Sequence, residues 1–181
     1  RRPPRSTLFP YTTLSDLLLV FSKKGVSDVE MEDLLSLDDK VLDSVFQYHV
    51  SKLRRLPSHV WLRLKVTMGD LLVEGENGCL QLYHRQLKEV AESRLDGHRK
   101  DICRLLADYF GNLRTGRNIS PQYWTVDGRC PYHEESEVNV RRCVEASRAM
   151  LDAGLYDAAE AELCNFAGII SKLRVNEGFH L

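Results

Sequence analysis

LQLYHRQLKEVAESRL, residues 80–95, joins the two halves of this sequence: the residues before it read as a small folded unit leading into it, and the residues after it continue it as helix. Tyr83, Leu87, Val90 and Ala91 fall on one helical face, with Arg85, Lys88, Glu89 and Glu92 around the other, so the stretch predicts an amphipathic helix with a buried stripe. His84 stands where that helix begins, on or beside the buried face and directly after a predicted β-hairpin. The first amides of a helix lack intrahelical acceptors and sit at the positive end of its dipole, so a helix start favours anions. His84 is therefore the candidate functional residue of the chain. The alternative reading is a histidine satisfied at the edge of a core.

Upstream, the pattern is a series of short helices. Ser15 is placed to cap a first one, with Leu14, Leu17, Leu18 and Phe21 on one face and Gly25 as the glycine that ends it. Ser27 and Glu30 make an S-x-x-E capping box before Met31, Leu34 and Leu35, which predicts a second helix to about Ser36. Asp38 or Asp39 caps a third, with Val41, Leu42, Val45 and Phe46 as its buried face. Pro57 and Ser58 open a fourth, striped by Val60, Trp61, Leu64 and Met68 and ended by Gly69. Residues 71–73 and 79–82 then read as two strands around the turn Asn77-Gly78. Helices followed by a β-hairpin is the order of a winged helix-turn-helix, with the hairpin as the wing. The expected winged-helix domain covers residues 15–95.

Residues 1–14, RRPPRSTLFPYTTL, stand apart: they lack an initiator methionine and hold three arginines and three prolines in ten positions. They resemble translated adapter sequence and are expected to be a non-native extension outside the fold, the alternative being a basic arm.

Downstream, Ile102, Leu105, Leu106, Tyr109, Phe110 and Leu113 predict a helix over residues 98–113 that packs on its predecessor. Gly116, Pro121, Gly128 and Pro131 break periodicity over residues 114–137, a long loop expected to pin itself through Tyr123, Trp124 and Tyr132 and to mark the boundary between subdomains. Val140, Val144 and Leu151 define a seventh helix ended by Gly154; Leu163, Phe166, Ile170 and Leu173 define an eighth capped by Asp157. The pair makes an αα-hairpin whose turn, residues 154–159, looks like that of tetratricopeptide units, but no second copy occurs near a spacing of 34 residues. The expected fold is thus mainly α: the winged helix-turn-helix, then a repeat-like helical subdomain over residues 96–181 that ends abruptly enough to suggest truncation.

Composition narrows the function. The mixture of 43% apolar and 28% charged residues can bury a core, and 25 basic against 26 acidic residues leave a formal charge of −1, which gives no global attraction to nucleic acid or to an anionic membrane. Five scattered cysteines, Cys79, Cys103, Cys130, Cys143 and Cys164, disfavour a disulfide framework and point to a reducing compartment, so the cytoplasm is expected. The longest apolar run, residues 17–21, is far shorter than the roughly 20 residues a bilayer requires.

The ordered blocks LLLVFSKKGVSDVEMEDLLSLDDKVLDSVF, RRLPSHVWLRL, the hairpin and LYHRQLKEVAESRL resemble the winged-helix region of NACHT and WD-repeat proteins, members of the STAND class of P-loop signalling ATPases. The block NVRRCVEASRAMLDAGLYDAAEAELCNFAGIISKLRVNEGFHL is similar to the helical segment that comes after it there, so the resemblance covers residues 15–181. It implies a place after the nucleotide-binding core and before the repeat array, with the NACHT core and repeat domain of the parent chain, and other proteins, as partners. Tyr83-His84-Arg85-Gln86-Leu87 matches the family's aromatic-His-x-x-(Leu/Phe) pattern, in which the histidine reaches the β-phosphate of bound ADP and holds the inactive form. By resemblance, His84 senses nucleotide phosphate in the parent, for which ATP or ADP is implied. The chain itself departs from an ATPase, because no G-x-x-x-x-G-K-[ST] occurs in it. No enzyme activity, cofactor or metal is expected for the chain alone.

Other chemistries find less support. Lys52, Arg54, Arg55, Arg63 and Lys65 form a basic strip suited to DNA, but Glu74 and Glu76 occupy the wing where phosphate contacts would call for Lys or Arg. Cys130 and His133 with Cys143 or Cys103 give half a zinc site and no second close pair. No aspartate or asparagine is placed to orient a Cys-His pair, and Glu134, Glu135 and Glu137 read as dipole partners of the seventh helix. The alternative to the STAND reading is a nucleotide-independent protein-interaction scaffold.

Overall fold

The computed structural model describes residues 10–46, 55–75, 78–111, 113, 133–134 and 137–174. Its elements are α1 (Pro10–Phe21), α2 (Asp28–Ser36), α3 (Asp39–Val45), α4 (Ser58–Met68), β1 (Leu72–Glu74), β2 (Leu80–Leu82), α5 (Arg85–Leu95), α6 (Arg99–Gly111), β3 (His133–Glu134), β4 (Glu137–Val138), α7 (Val140–Ala153), α8 (Tyr156–Leu163) and α9 (Phe166–Arg174). The fold is mainly α with a small antiparallel hairpin after the fourth helix, as the periodicities predict. None of the described helices is long and apolar enough to cross a membrane. Contacts divide the chain into two units, one with residues up to Val20 and Gly25–Ala91, the other with Phe21–Lys24 and the residues from Glu92 onward. This contact division passes between Ala91 and Glu92, and most of the stretch 114–137 lies outside the described residues.

In the first unit the local chemistry sets the helix ends. The Ser27–Glu30 capping box forms in both directions, with Ser27 N–H donating to Glu30 Oε2 at 2.9 Å and Glu30 N–H donating to Ser27 Oγ at 3.3 Å. Asp38, not Asp39, caps α3, accepting from Lys40 and Val41 amides at 2.7 and 3.3 Å. Leu18, Leu19, Met31, Leu34, Leu35, Leu56 and Trp61 form the fully buried core, while Val45 and Phe46 are only half-buried. Trp61 meets its polar requirement at the start of α2, its Nε1–H donating to Asp28 Oδ1 at 2.7 Å.

Three expectations about α1 are corrected. The helix begins at Pro10, so residues 10–14 of the suspected extension form its first turn, and Leu14 is buried. Proline is tolerated there because first-turn amides have no intrahelical acceptor. Ser15 is accordingly inside the helix, buried, its hydroxyl donating to the Thr12 carbonyl at 2.8 Å. Residues 1–9 lie outside the described residues. Gly25 is not the glycine that ends α1 either. Its neighbour Val26 pairs antiparallel with Leu80, with N–H to O distances of 3.1 and 2.9 Å, adding a third extended segment beside β2. The hairpin register is Leu72↔Leu82, Val73↔Gln81 and Glu74↔Leu80; the turn residue Asn77 lies outside the described residues.

In the second unit α6 packs chiefly on α7 rather than on its predecessor. Ala107, Gly111, Ala146 and Ala149 are buried at this junction, and their small size lets large side chains such as Phe110 and Met150 fill between the helices. A β-carbon on Gly111 would stand 2.4 Å from Met150 Cε. Asn139 caps α7, and Gly154 ends it in the left-handed conformation at φ 76°, with Leu155 N–H returning to the Met150 carbonyl at 2.9 Å. The single helix predicted beyond Gly154 is two. Asn165 breaks it by accepting from the Ala167 and Gly168 amides at 3.0 and 3.4 Å and so starting α9. Asp157 lies in the first turn of α8 and does not cap it; Leu155 holds the cap position without a side-chain bond.

Behind this hairpin lies a buried polar layer. Arg142 grips Glu162 through two bonds of 2.9 and 2.7 Å, and Lys172 Nζ donates to Ser147 Oγ at 3.0 Å. Burial lowers the Lys172 pKa below its ordinary 10.5; Glu162 and Cys143 oppose the shift, and Lys23 and Arg142 add to it. The unfolded chain therefore binds more protons between the folded pKa and 10.5, so the destabilisation by Lys172 fades as pH rises through that window. Lys172→Met should accordingly gain stability over the parent chain at pH 7, and urea titrations should find that advantage shrinking toward pH 11.

Candidate functional site at the start of helix α5

The approach to His84 is fixed by the hairpin. Leu80 is buried, β2 ends at Leu82, and the Tyr83 N–H donates to the Leu71 carbonyl at 2.8 Å, so the chain leaves the sheet in a set direction. His84 directly precedes α5, and its carbonyl accepts from the Lys88 amide at 3.2 Å to close the first turn. The Tyr83 and His84 rings meet edge to face, centroids 4.6 Å apart. No acidic residue stands in the first turn of α5, so the positive end of its dipole is not offset there. Arg85 is turned back along the helix onto Glu89 at 2.8 Å.

Burial differs from the sequence expectation. His84 is exposed, and α5 has no buried residue: Tyr83, Leu87 and Val90 are 60%, 37% and 51% exposed. The amphipathic stripe is real, yet it is only partly covered by the described residues, with Leu87 and Ala91 more sheltered than Tyr83 and Val90. Leu62 and Val66 on α4, and Leu71 and Val73 at the hairpin, are further exposed apolar side chains of the same unit.

The rival sites fare less well. Arg55 is bound to Asp33 at 2.7 Å and Lys65 to Asp28 at 2.7 Å, so two members of the basic strip are neutralised by α2. Arg63 is exposed; Lys52, Arg54 and Glu76 lie outside the described residues. Glu74 is exposed at the end of β1. For zinc, Cys130 and the side chain of His133 lie outside the described residues, and no three potential ligands come together among the described ones. Cys103 is a poor nucleophile, since burial first and Asp152 second push its thiol from 9.0 up to about 11. Tyr123, Trp124 and Tyr132 lie outside the described residues.

What sequence reasoning missed is on α9. Phe166 and Leu173, expected in the core, are 75% and 59% exposed, Ile169 beside them is exposed, and Leu151 on α7 is exposed as well. Spacing identifies such a stripe but carries no information on what covers it.

Over 188 aligned positions the chain is 39% identical to the human NACHT domain- and WD repeat-containing protein 1, covering 88% of this chain. The mouse protein of the same name is 29% identical over 190 positions, covering 90% of this chain. This chain is related to the NACHT and WD-repeat proteins. The likeness takes in both units, the α5 start included, and agrees with the resemblance carried by the sequence blocks. The chain spans 11% of the length of the human NACHT and WD-repeat relative and 12% of the mouse one. No family model matches the chain, and no solved structure matches it.

Proposed function

We propose that this chain is a regulatory segment of a STAND-type signalling ATPase of the NACHT and WD-repeat kind, acting in the cytoplasm. Its first unit is a winged helix that closes over nucleotide held by a separate NACHT core. In favour of the winged helix stands its connectivity, α1, the Val26 bridge, α2 to α4, then β1 and β2, with Val26 beside β2. The observation that carries the regulatory reading is the exposed His84 at the uncovered positive end of α5, flanked by the partly covered stripe of Tyr83, Leu87 and Val90. The stripe supplies apolar area for docking on the core, and the imidazole with the first-turn amides supplies donors for a β-phosphate. Loss of the phosphate contact removes one of the interactions that favour the closed form, and the equilibrium shifts toward the open one. The segment does no chemistry itself: with no P-loop in its sequence, it biases a reaction performed elsewhere. The second unit relays the state toward the repeats.

His84→Ala, introduced into the longer polypeptide that carries this segment with its NACHT core, should raise spontaneous activation and weaken ADP binding by about tenfold, the scale of a hydrogen bond to a charged group. Unchanged ADP affinity and an unchanged activation threshold would count against the reading. A second reading, a nucleotide-independent interaction scaffold, draws on the exposed face of α9 formed by Phe166, Ile169 and Leu173. It predicts that His84→Ala is silent while substitutions on that face abolish partner binding.

A further inference from the structure

A buried carboxylate unrelated to the His84 site holds a four-residue turn that is distant in sequence. Glu145, on α7, is 2% exposed. Its Oε2 accepts the Lys23 backbone N–H at 2.9 Å and its Oε1 accepts the Lys24 backbone N–H at 2.8 Å. Two successive amides thus close on one carboxylate, an arrangement that backbone concavities use to bind anions. Arg141, one turn earlier on α7, brings its Nη1 to 3.4 Å from Oε1, and its guanidinium lies over the Phe110 ring at 5.2 Å. Phe21, at the head of the turn, carries the guanidinium of Arg99 over its ring at 5.5 Å. Lys23 and Lys24 are exposed, and it is their backbone amides that meet the Glu145 carboxylate.

Burying a carboxylate is costly unless its oxygens are matched. Here the matching is supplied by chain that would otherwise run on from α1 to α2 within the first unit. We infer that Glu145 is a latch: its carboxylate keeps the turn Phe21–Lys24 in the second unit. With the latch closed, the second unit takes in the chain at residues 21–24 as well as from Glu92 onward. With it open, only the later segment remains. Glu145 acts as a positioning residue, and the inference stands independently of whether His84 meets a nucleotide.

The test reads the turn directly. In the wild-type chain, hydrogen exchange should find the Lys23 and Lys24 amides protected; fast exchange at both overturns the latch. In Glu145→Gln the side chain keeps its size but offers one acceptor and turns a donor toward the amides. Trypsin should then cut after Lys23 and Lys24 about tenfold to a hundredfold faster, the range expected for hydrogen bonds to a charged group. Cleavage after Arg85, whose side chain is 90% exposed, serves as the reference and should not change. An unaltered ratio of the two cleavages overturns the proposal. So does an equal acceleration at every site, which would make Glu145 a general stabiliser of α7.

Discussion

Gly25→Ala is expected to destabilise the first unit by about 3 kcal/mol, the sum of a left-handed penalty of roughly 1–2 kcal/mol and the loss of backbone pairing worth about 1 kcal/mol per bond. Gly25 sits at φ 82°, and a β-carbon on it would lie 2.3 Å from the Leu80 carbonyl oxygen and 2.6 Å from Gln81 Cγ. The obstacle is partly backbone, so it cannot be relieved by turning one side chain. To make room, Val26 must leave β2, and both bonds of the Val26–Leu80 bridge go with it. Those bonds tie the connection between α1 and α2 to the strand that leads into α5, so the variant should also loosen the approach to His84. Gly97→Ala is the control, since a β-carbon there meets nothing within 4 Å. Urea unfolding should separate the two variants clearly; equal midpoints would show that the Gly25 crossing is not a stability determinant.

Glu162→Ala should cost about 3 kcal/mol, the lower end for removing one partner of a buried ion pair. Arg142 and Glu162 are 14% and 7% exposed, and the fork of two bonds joins α7 to α8. Without Glu162, the Arg142 guanidinium stays buried without its carboxylate, and Lys172 loses the group that most favours its charged form. The double variant Arg142→Met with Glu162→Leu removes the stranded charge and should recover most of the loss, because replacing a whole buried pair by apolar groups is near neutral. Thermal unfolding of the three chains measures this. A double variant no better than Glu162→Ala alone would mean that packing, not stranded charge, sets the cost.

How much of this was legible depended on how local each cause is. The Ser27–Glu30 box, Gly69 and Gly154 act on neighbouring backbone and are readable from residue type and spacing, and the cap of α3 is readable as far as Asp38 or Asp39. Val26 was not: one bridging residue offers no alternation, and its partner Leu80 is far away in the chain. The composition of residues 1–14 drew attention from the helix-starting role of Pro10, although proline in a first turn is a common signal. Asn165, whose cap splits α8 from α9, is not signalled by the apolar period, which runs straight through it. The largest difference between pattern and structure is burial on α5 and α9. Periodicity shows that a helix has an apolar face; it does not show whether this chain supplies the cover. The position of His84 at a helix start was therefore readable, and its exposure was not.

The most direct measurement is the dissociation rate of fluorescent ADP from the longer polypeptide containing this segment and a NACHT core, compared between wild type and His84→Ala. If the imidazole holds the β-phosphate in the closed form, ADP should leave the variant about tenfold faster, with α5 still folded by circular dichroism. Equal dissociation rates in the two proteins would contradict the central claim and leave His84 as a surface residue of a docking module.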